Sequence, residues 1–172
     1  MTDNTFLLFG RPGGGRLKIS KPALLQMLLF RQLNPADCEA GGVLLGRLLL
    51  DSHDIVVDEV TVPMRGDKRS RFAFYRHKCG HQAIINQRWQ ESKGTCIYLG
   101  EWHTHPEPAP TPSRIDRTDW QRKLRADRFE KSLFFVIVGT HEIRMWFGQK
   151  QVQRVQPMES LISMCHVNES NL

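Results

Sequence analysis

Apolar residues return at helical spacing near the start of the chain, at Leu24, Leu25, Leu28, Leu29 and Leu33. Side chains three and four apart share a helix face, so this spacing predicts a helix with one buried side. Ser20 offers an N-cap, Pro22 fits the first turn, and Asn34-Pro35 stops the helix after roughly a dozen residues. Ahead of it, apolar Phe6–Phe9 and the breaker Gly10-Arg11-Pro12-Gly13-Gly14-Gly15 predict a flexible turn between two short strands. From Glu39 to Leu50 the glycines argue against a helix, and the Val and Leu content suits a largely buried strand. Asp51 to Asp54 is a turn, and Ile55 to Val62 is a second strand that forms a hairpin with the first. Pro63 ends that strand.

Residues 64–73 read as an irregular basic loop, and 75–92 as a helix weakened by Gly80. Thr95 to His103 is a strand rich in β-formers. Pro106, Pro108, Pro110 and Pro112 then exclude regular structure. Ser113 opens a helix running to about Asp127. Leu133–Val138 and Ile143–Phe147 are strands, Val152 and Val155 mark a last polar edge strand, and the tail from Met158 gives a short helix or nothing. Helices alternate with strands, so the expected architecture is a single α/β layer fold around a mixed sheet. The 172 residues suit one domain, 1–172, with 1–15 as an N-terminal strand and glycine-rich turn and 158–172 as a C-terminal tail.

A 40% hydrophobic and 24% charged composition is that of an ordinary globular protein. The N-terminus lacks a basic stretch followed by an apolar core. The longest apolar run, Leu133 to Val138, is far below a membrane span. A cytoplasmic protein with no membrane partner is expected. Its four cysteines, Cys38, Cys79, Cys96 and Cys165, have no CxxC spacing and read as reduced thiols. The glycine run lacks the Gly-Lys-Ser/Thr ending of a phosphate loop. A net charge of +6 concentrates locally at Arg65, Lys68, Arg69, Arg71 and Arg76. Without interleaved aromatics or zinc-finger spacing this does not point to nucleic acid. It reads as a solvated basic loop or as a flap for an acidic substrate.

Chemistry concentrates in Glu101-Trp102-His103-Thr104-His105-Pro106 and Ser113-Arg114-Ile115-Asp116, of the form H-x-H-x7-S-x2-D. Residues two apart on a strand point to one side, so His103 and His105 project together. The proline-rich segment returns the chain to a helix start, with Ser113 at the N-cap and Asp116 at N3. Two imidazoles and a carboxylate make three ligands for one zinc ion and leave a fourth position open, as in catalytic sites. A hydrolase of this kind needs a base, and Glu39, Glu101 and Glu107 are the candidates. Ser113-x-x-Asp116 is also a capping box in its own right. His77 and His81, four apart on the expected second helix, lack a third ligand and read as a solvated face.

This pattern resembles the JAB/JAMM (MPN-plus) metalloproteases, whose motif is preceded by E-x-G-G-x-L-x-G, here Glu39-Ala40-Gly41-Gly42-Val43-Leu44-Leu45-Gly46. The resemblance spans residues 16 to 148, and no metal-motif position departs from it. It implies an MPN fold with a mixed, mostly antiparallel sheet flanked by helices, layered as in cytidine deaminases. It implies His103, His105 and Asp116 as zinc ligands, Glu39 as general base and acid, and Ser113 as the oxyanion donor. Activity is implied on peptide or isopeptide bonds after the C-terminus of ubiquitin-like proteins. The compact frame is most similar to the bacterial JAB peptidases of type II CBASS antiphage operons, deconjugases of a nucleotidyltransferase (CD-NTase). The alternatives are a peptidase trimming sulfur-carrier or small ubiquitin-like proteins, and a non-catalytic MPN scaffold, which would lack the ligand set. A zinc deaminase is excluded by the missing P-C-x-x-C.

Overall fold

The computed structural model describes residues 6–128 and 131–163. In chain order the elements are β1 (Leu7–Gly10), β2 (Arg16–Ile19), α1 (Lys21–Leu28), β3 (Gly41–Leu48) and β4 (Ile55–Val60). There follow β5 (Lys68–Ser70), β6 (Ala73–Tyr75), α2 (Lys78–Glu91), β7 (Ile97–Thr104) and α3 (Arg114–Ala126). The last four strands are β8 (Ser132–Val138), β9 (Ile143–Gln149), β10 (Arg154–Pro157) and β11 (Glu159–Ile162).

Nine strands form one sheet in the order β10-β9-β8-β7-β3-β4-β2-β1-β11, and β5 and β6 form a separate hairpin. Neighbours are antiparallel except for β2 with β4 and β7 with β8. The β7–β8 pair needs a crossover, and α3 supplies it. β10 and β11 occupy opposite edges of the sheet yet are separated in sequence by Met158 alone. One residue spans about 3.8 Å, so the sheet curls until its two edges meet. Met158 seals the seam: its side chain is buried and its N–H donates to the Met145 carbonyl at 2.9 Å.

The curl explains why Leu133–Val138 is apolar without alternation. Phe134, Val136 and Val138 point into the main core, where Ala23, Leu24 and Met27 of α1 fill the concave side. Leu133, Phe135 and Ile137 point outward beneath α3, where Trp120 stacks on Phe135 at 4.6 Å between ring centroids. With both faces covered, the strand carries hydrophobic residues at every position.

Five sequence expectations need correction. The first helix ends at Leu28, short of Asn34-Pro35, and Leu29 and Leu33 are 76% and 62% exposed. Tight turns take over there (Phe30 N–H to Met27 O, 3.1 Å; Arg31 N–H to Leu28 O, 3.2 Å) and carry Gln32 into the interior. The basic segment is not irregular. It holds the β5–β6 hairpin, in which Lys68, Arg69 and Ser70 pair with Tyr75, Phe74 and Ala73. The second helix therefore starts at Lys78, after β6. Val152 lies in a turn, 61% exposed, outside the edge strand that Val155 joins. In the expected C-terminal tail Glu159–Ile162 form a strand against β1, and residues 164–172 of that tail lie outside the described residues.

Candidate active site

Strand β7 lies between β3 and β8, the centre of the sheet, and its C-terminal end carries the chemistry. Trp102 and Thr104 point inward and are fully buried. His103 therefore faces the other way, and His105 follows it just past the strand end, where its N–H donates to the Val138 carbonyl at 3.0 Å. The two imidazole rings lie 4.8 Å apart with their Nε2 atoms at 3.0 Å.

The helix α3 meets them end-on. Ser113 caps it: Ser113 Oγ accepts the Asp116 N–H at 3.2 Å, and Asp116 Oδ2 accepts the Ser113 N–H at 2.7 Å. This reciprocal box fixes the carboxylate at a place where the helix dipole favours negative charge. Asp116 Oδ1 lies 3.2 Å from His103 Nε2, and Oδ2 lies 3.4 Å from His105 Nε2. Burial would raise the Asp116 pKa, but its bonds to His103, His105 and Ser113 hold it well below the usual carboxylate range. Burial opposes charge on His105, yet Asp116 and then Glu39 and Glu107 raise its pKa above the ordinary value.

Of the three candidate bases, only Glu39 reaches this cluster. It lies just ahead of β3, buried, with Oε1 4.0 Å from His105 Nε2. Burial, opposed by His105 and reinforced by the charges of Asp116 and Glu107, lifts its carboxyl to about 7. Glu101 is committed elsewhere, ion-paired with Arg76 and with Lys123 Nζ at 3.1 Å. Glu107 is exposed and accepts the Thr111 N–H at 3.1 Å. His77 and His81 do not share a face. His77 precedes the helix, while His81 is buried between Thr61 Oγ1 (2.7 Å) and Asp67 Oδ2 (3.1 Å).

The donor set suits a divalent metal. His103, His105 and Asp116 each present one ligand atom within 4.8 Å of the others. Two imidazole nitrogens facing each other at 3.0 Å, with a carboxylate beside them, are an arrangement that a shared cation satisfies. The cluster opens into a cleft of about 520 Å³. The β5–β6 hairpin, with exposed Phe72 and Tyr75, forms one wall, and the first turn of α3, with exposed Ile115, forms the other.

Several residues of the site carried no sequence signal. Gln32, 3% exposed, accepts a hydrogen bond from Thr104 Oγ1 (3.0 Å) and donates to the carbonyls of Asp37 (3.1 Å) and Arg71 (2.8 Å). It thereby ties the loop before Glu39, the hairpin and the histidine strand together. Strand parity alone would have placed Thr104 in the core, between the two histidines. Nothing in the residue pattern marked Gln32, and Arg69, which donates to the Glu39 carbonyl, stood out only as one charge of the basic segment.

A curled mixed sheet with an H-x-H strand end, a capped aspartate and an upstream buried glutamate is the architecture of JAB domains. The family described as "Prokaryotic homologs of the JAB domain" matches residues 21–150, and this chain belongs to it. Curated relatives named "CD-NTase/cGAS isopeptidase" are similar over most of the chain. The one from Pseudomonas aeruginosa is 42% identical over 74% of this chain and 79% of its own. The one from Vibrio cholerae is 36% identical over 80% and 84%. A solution structure of a Desulfitobacterium hafniense protein covers 81% of this chain and 87% of its own, at 25% identity and a TM-score of 0.54.

Proposed function

We propose that the chain is a zinc-dependent isopeptidase that hydrolyses the amide bond joining the C-terminus of a CD-NTase to its target. The setting is antiphage defence of the CBASS kind. The supporting observation is the meeting of His103, His105 and Asp116 with a buried glutamate, Glu39, at the inner end of an open cleft. The names of the similar proteins support the substrate class. The free thiols of Cys38, Cys79 and Cys96 suit the cytoplasm. No helix among the described residues is long and apolar enough to cross a membrane.

In this reading His103, His105 and Asp116 hold the zinc. Bound there, zinc supplies Lewis acidity toward the scissile carbonyl and the attacking water. Glu39, with a carboxyl that titrates at about 7, takes the proton from that water and passes it to the leaving amine. Ser113 Oγ uses a lone pair to accept the Asp116 N–H, which leaves its own O–H to donate toward the carbonyl oxygen as negative charge grows.

The test uses a CD-NTase joined through its C-terminal carboxyl to a lysine amine. Wild-type protein carries about one zinc per chain and cleaves the conjugate. Glu39→Gln keeps the zinc and loses about 10²- to 10⁴-fold in kcat. Asp116→Asn loses the zinc by elemental analysis. Cleavage that survives chelation, or full activity in Glu39→Gln, rejects the reading.

A further inference from the structure

Glu39 is not part of the sheet ladder. Pairing between β3 and β7 begins at Gly41 opposite His103, two residues further along. Something else must hold the glutamate, and the β5–β6 hairpin does so from both sides of its peptide. The Glu39 N–H donates to the Ser70 carbonyl at 2.7 Å. Arg69 Nε donates to the Glu39 carbonyl at 2.7 Å, and Arg69 Nη2 donates to the Cys38 carbonyl at 3.1 Å. The guanidinium also lies 5.9 Å from the centroid of the Phe30 ring. Directly across the hairpin from Arg69 is Phe74, whose ring packs on Gly41 so closely that an added Cβ there would sit 2.6 Å from it. The cross-strand pair Arg69–Phe74 thus grips the chain immediately before and after the segment that bears the glutamate.

We propose that Arg69 is a positioning residue, which fixes the Glu39 backbone through the β5–β6 hairpin and so aims its carboxyl at the histidine pair. The proposal rests on the reading of Glu39 as the base. A guanidinium fork suits the task because its fixed donors reach two successive carbonyls at once, whereas an ammonium is a single point charge. The turn and β6 of the same hairpin line the cleft, so the strand that holds the base through Arg69 and Ser70 is paired with the strand that forms the wall.

Two measurements on the full, metal-loaded chain test this. The first is amide hydrogen exchange. In Arg69→Met the Glu39 amide exchanges about tenfold faster or more, while the amides of Leu44 and Leu45 in β3 are unchanged. The second is kinetics on the conjugate. Arg69→Met loses about 10- to 100-fold in kcat with little change in KM, as a small misplacement of a catalytic group does. Arg69→Lys recovers part of the loss, and zinc content stays at the wild-type value in both variants. An unchanged Glu39 exchange rate, a kcat within twofold of wild type, or a loss confined to KM overturns the proposal. A wild-type chain that fails to cleave the conjugate counts against the isopeptidase reading instead, and the exchange measurement then decides the positioning role by itself.

Discussion

At the scale of single residues, the site depends on side chains that never enter the cleft. Gln32 is the clearest example, a buried amide with every partner on a different segment. Replacing it with Leu leaves the Thr104 hydroxyl and two carbonyls without their partner in the interior. The expected loss is about 1–3 kcal/mol, read as a lower denaturation midpoint with an unchanged m-value. A midpoint equal to wild type would show that the amide is dispensable. The grouping of His103, His105 and Asp116 was legible in the sequence because their spacing is short, whereas Glu39, distant in sequence, was singled out from Glu101 and Glu107 only by the family resemblance. Gln32 and Arg69 were not, because a single amide or guanidinium has no periodicity, and its partners are backbone carbonyls that every residue possesses.

At the scale of elements, the strands and α3 could be read because burial writes itself into composition. Leu133–Val138 is apolar throughout since both its faces are covered, and Ser113 and Asp116 announce a helix start. The β5–β6 hairpin escaped notice because its strands are three residues each and mostly exposed, so no alternation develops. The anchoring of α2 was hidden for the opposite reason, its anchor being polar. His81 sits fully buried between Thr61 and Asp67. Burial lowers the His81 pKa, against the opposing effect of Asp67, so folding favours the neutral ring. The unfolded ring titrates near 6.5. Its stabilising contribution is therefore complete above that pH and is lost as pH falls through it toward the lower folded value. In chelator-treated protein the thermal midpoint of wild type should slope downward relative to that of His81→Gln as pH falls from 7.5 to 5.5, the raised Glu39 and His105 groups acting on both proteins alike. Parallel profiles for the two proteins would remove His81 as the source of the slope.

At the scale of the whole molecule, the curl of the sheet was the least legible feature. It depends on β11 pairing with Leu8 to Gly10, far away in sequence, while β10 stays paired with its immediate predecessor, from Gln149 to Trp146, on the opposite edge. No local pattern records such a partnership. Ending the chain after Pro157 removes β11 and the buried Met158 and strips β1 of its outer neighbour. An exposed strand edge pairs with other chains, so the shortened protein should melt earlier and aggregate on heating. It should still bind the proposed zinc while folded, because the His103, His105 and Asp116 group lies near the centre of the sheet. Unaltered melting would mean that the closure carries no stability.

That closure also orders events in time. Among the described strands of this sheet Leu7–Gly10 leaves the ribosome before the others, yet one of its two neighbours is Glu159–Ile162, made after all the rest of them. Contacts of such long sequence separation form slowly. Until Glu159–Ile162 has been made, the nascent chain therefore carries Leu7–Gly10 half-paired, a natural point of engagement for chaperones.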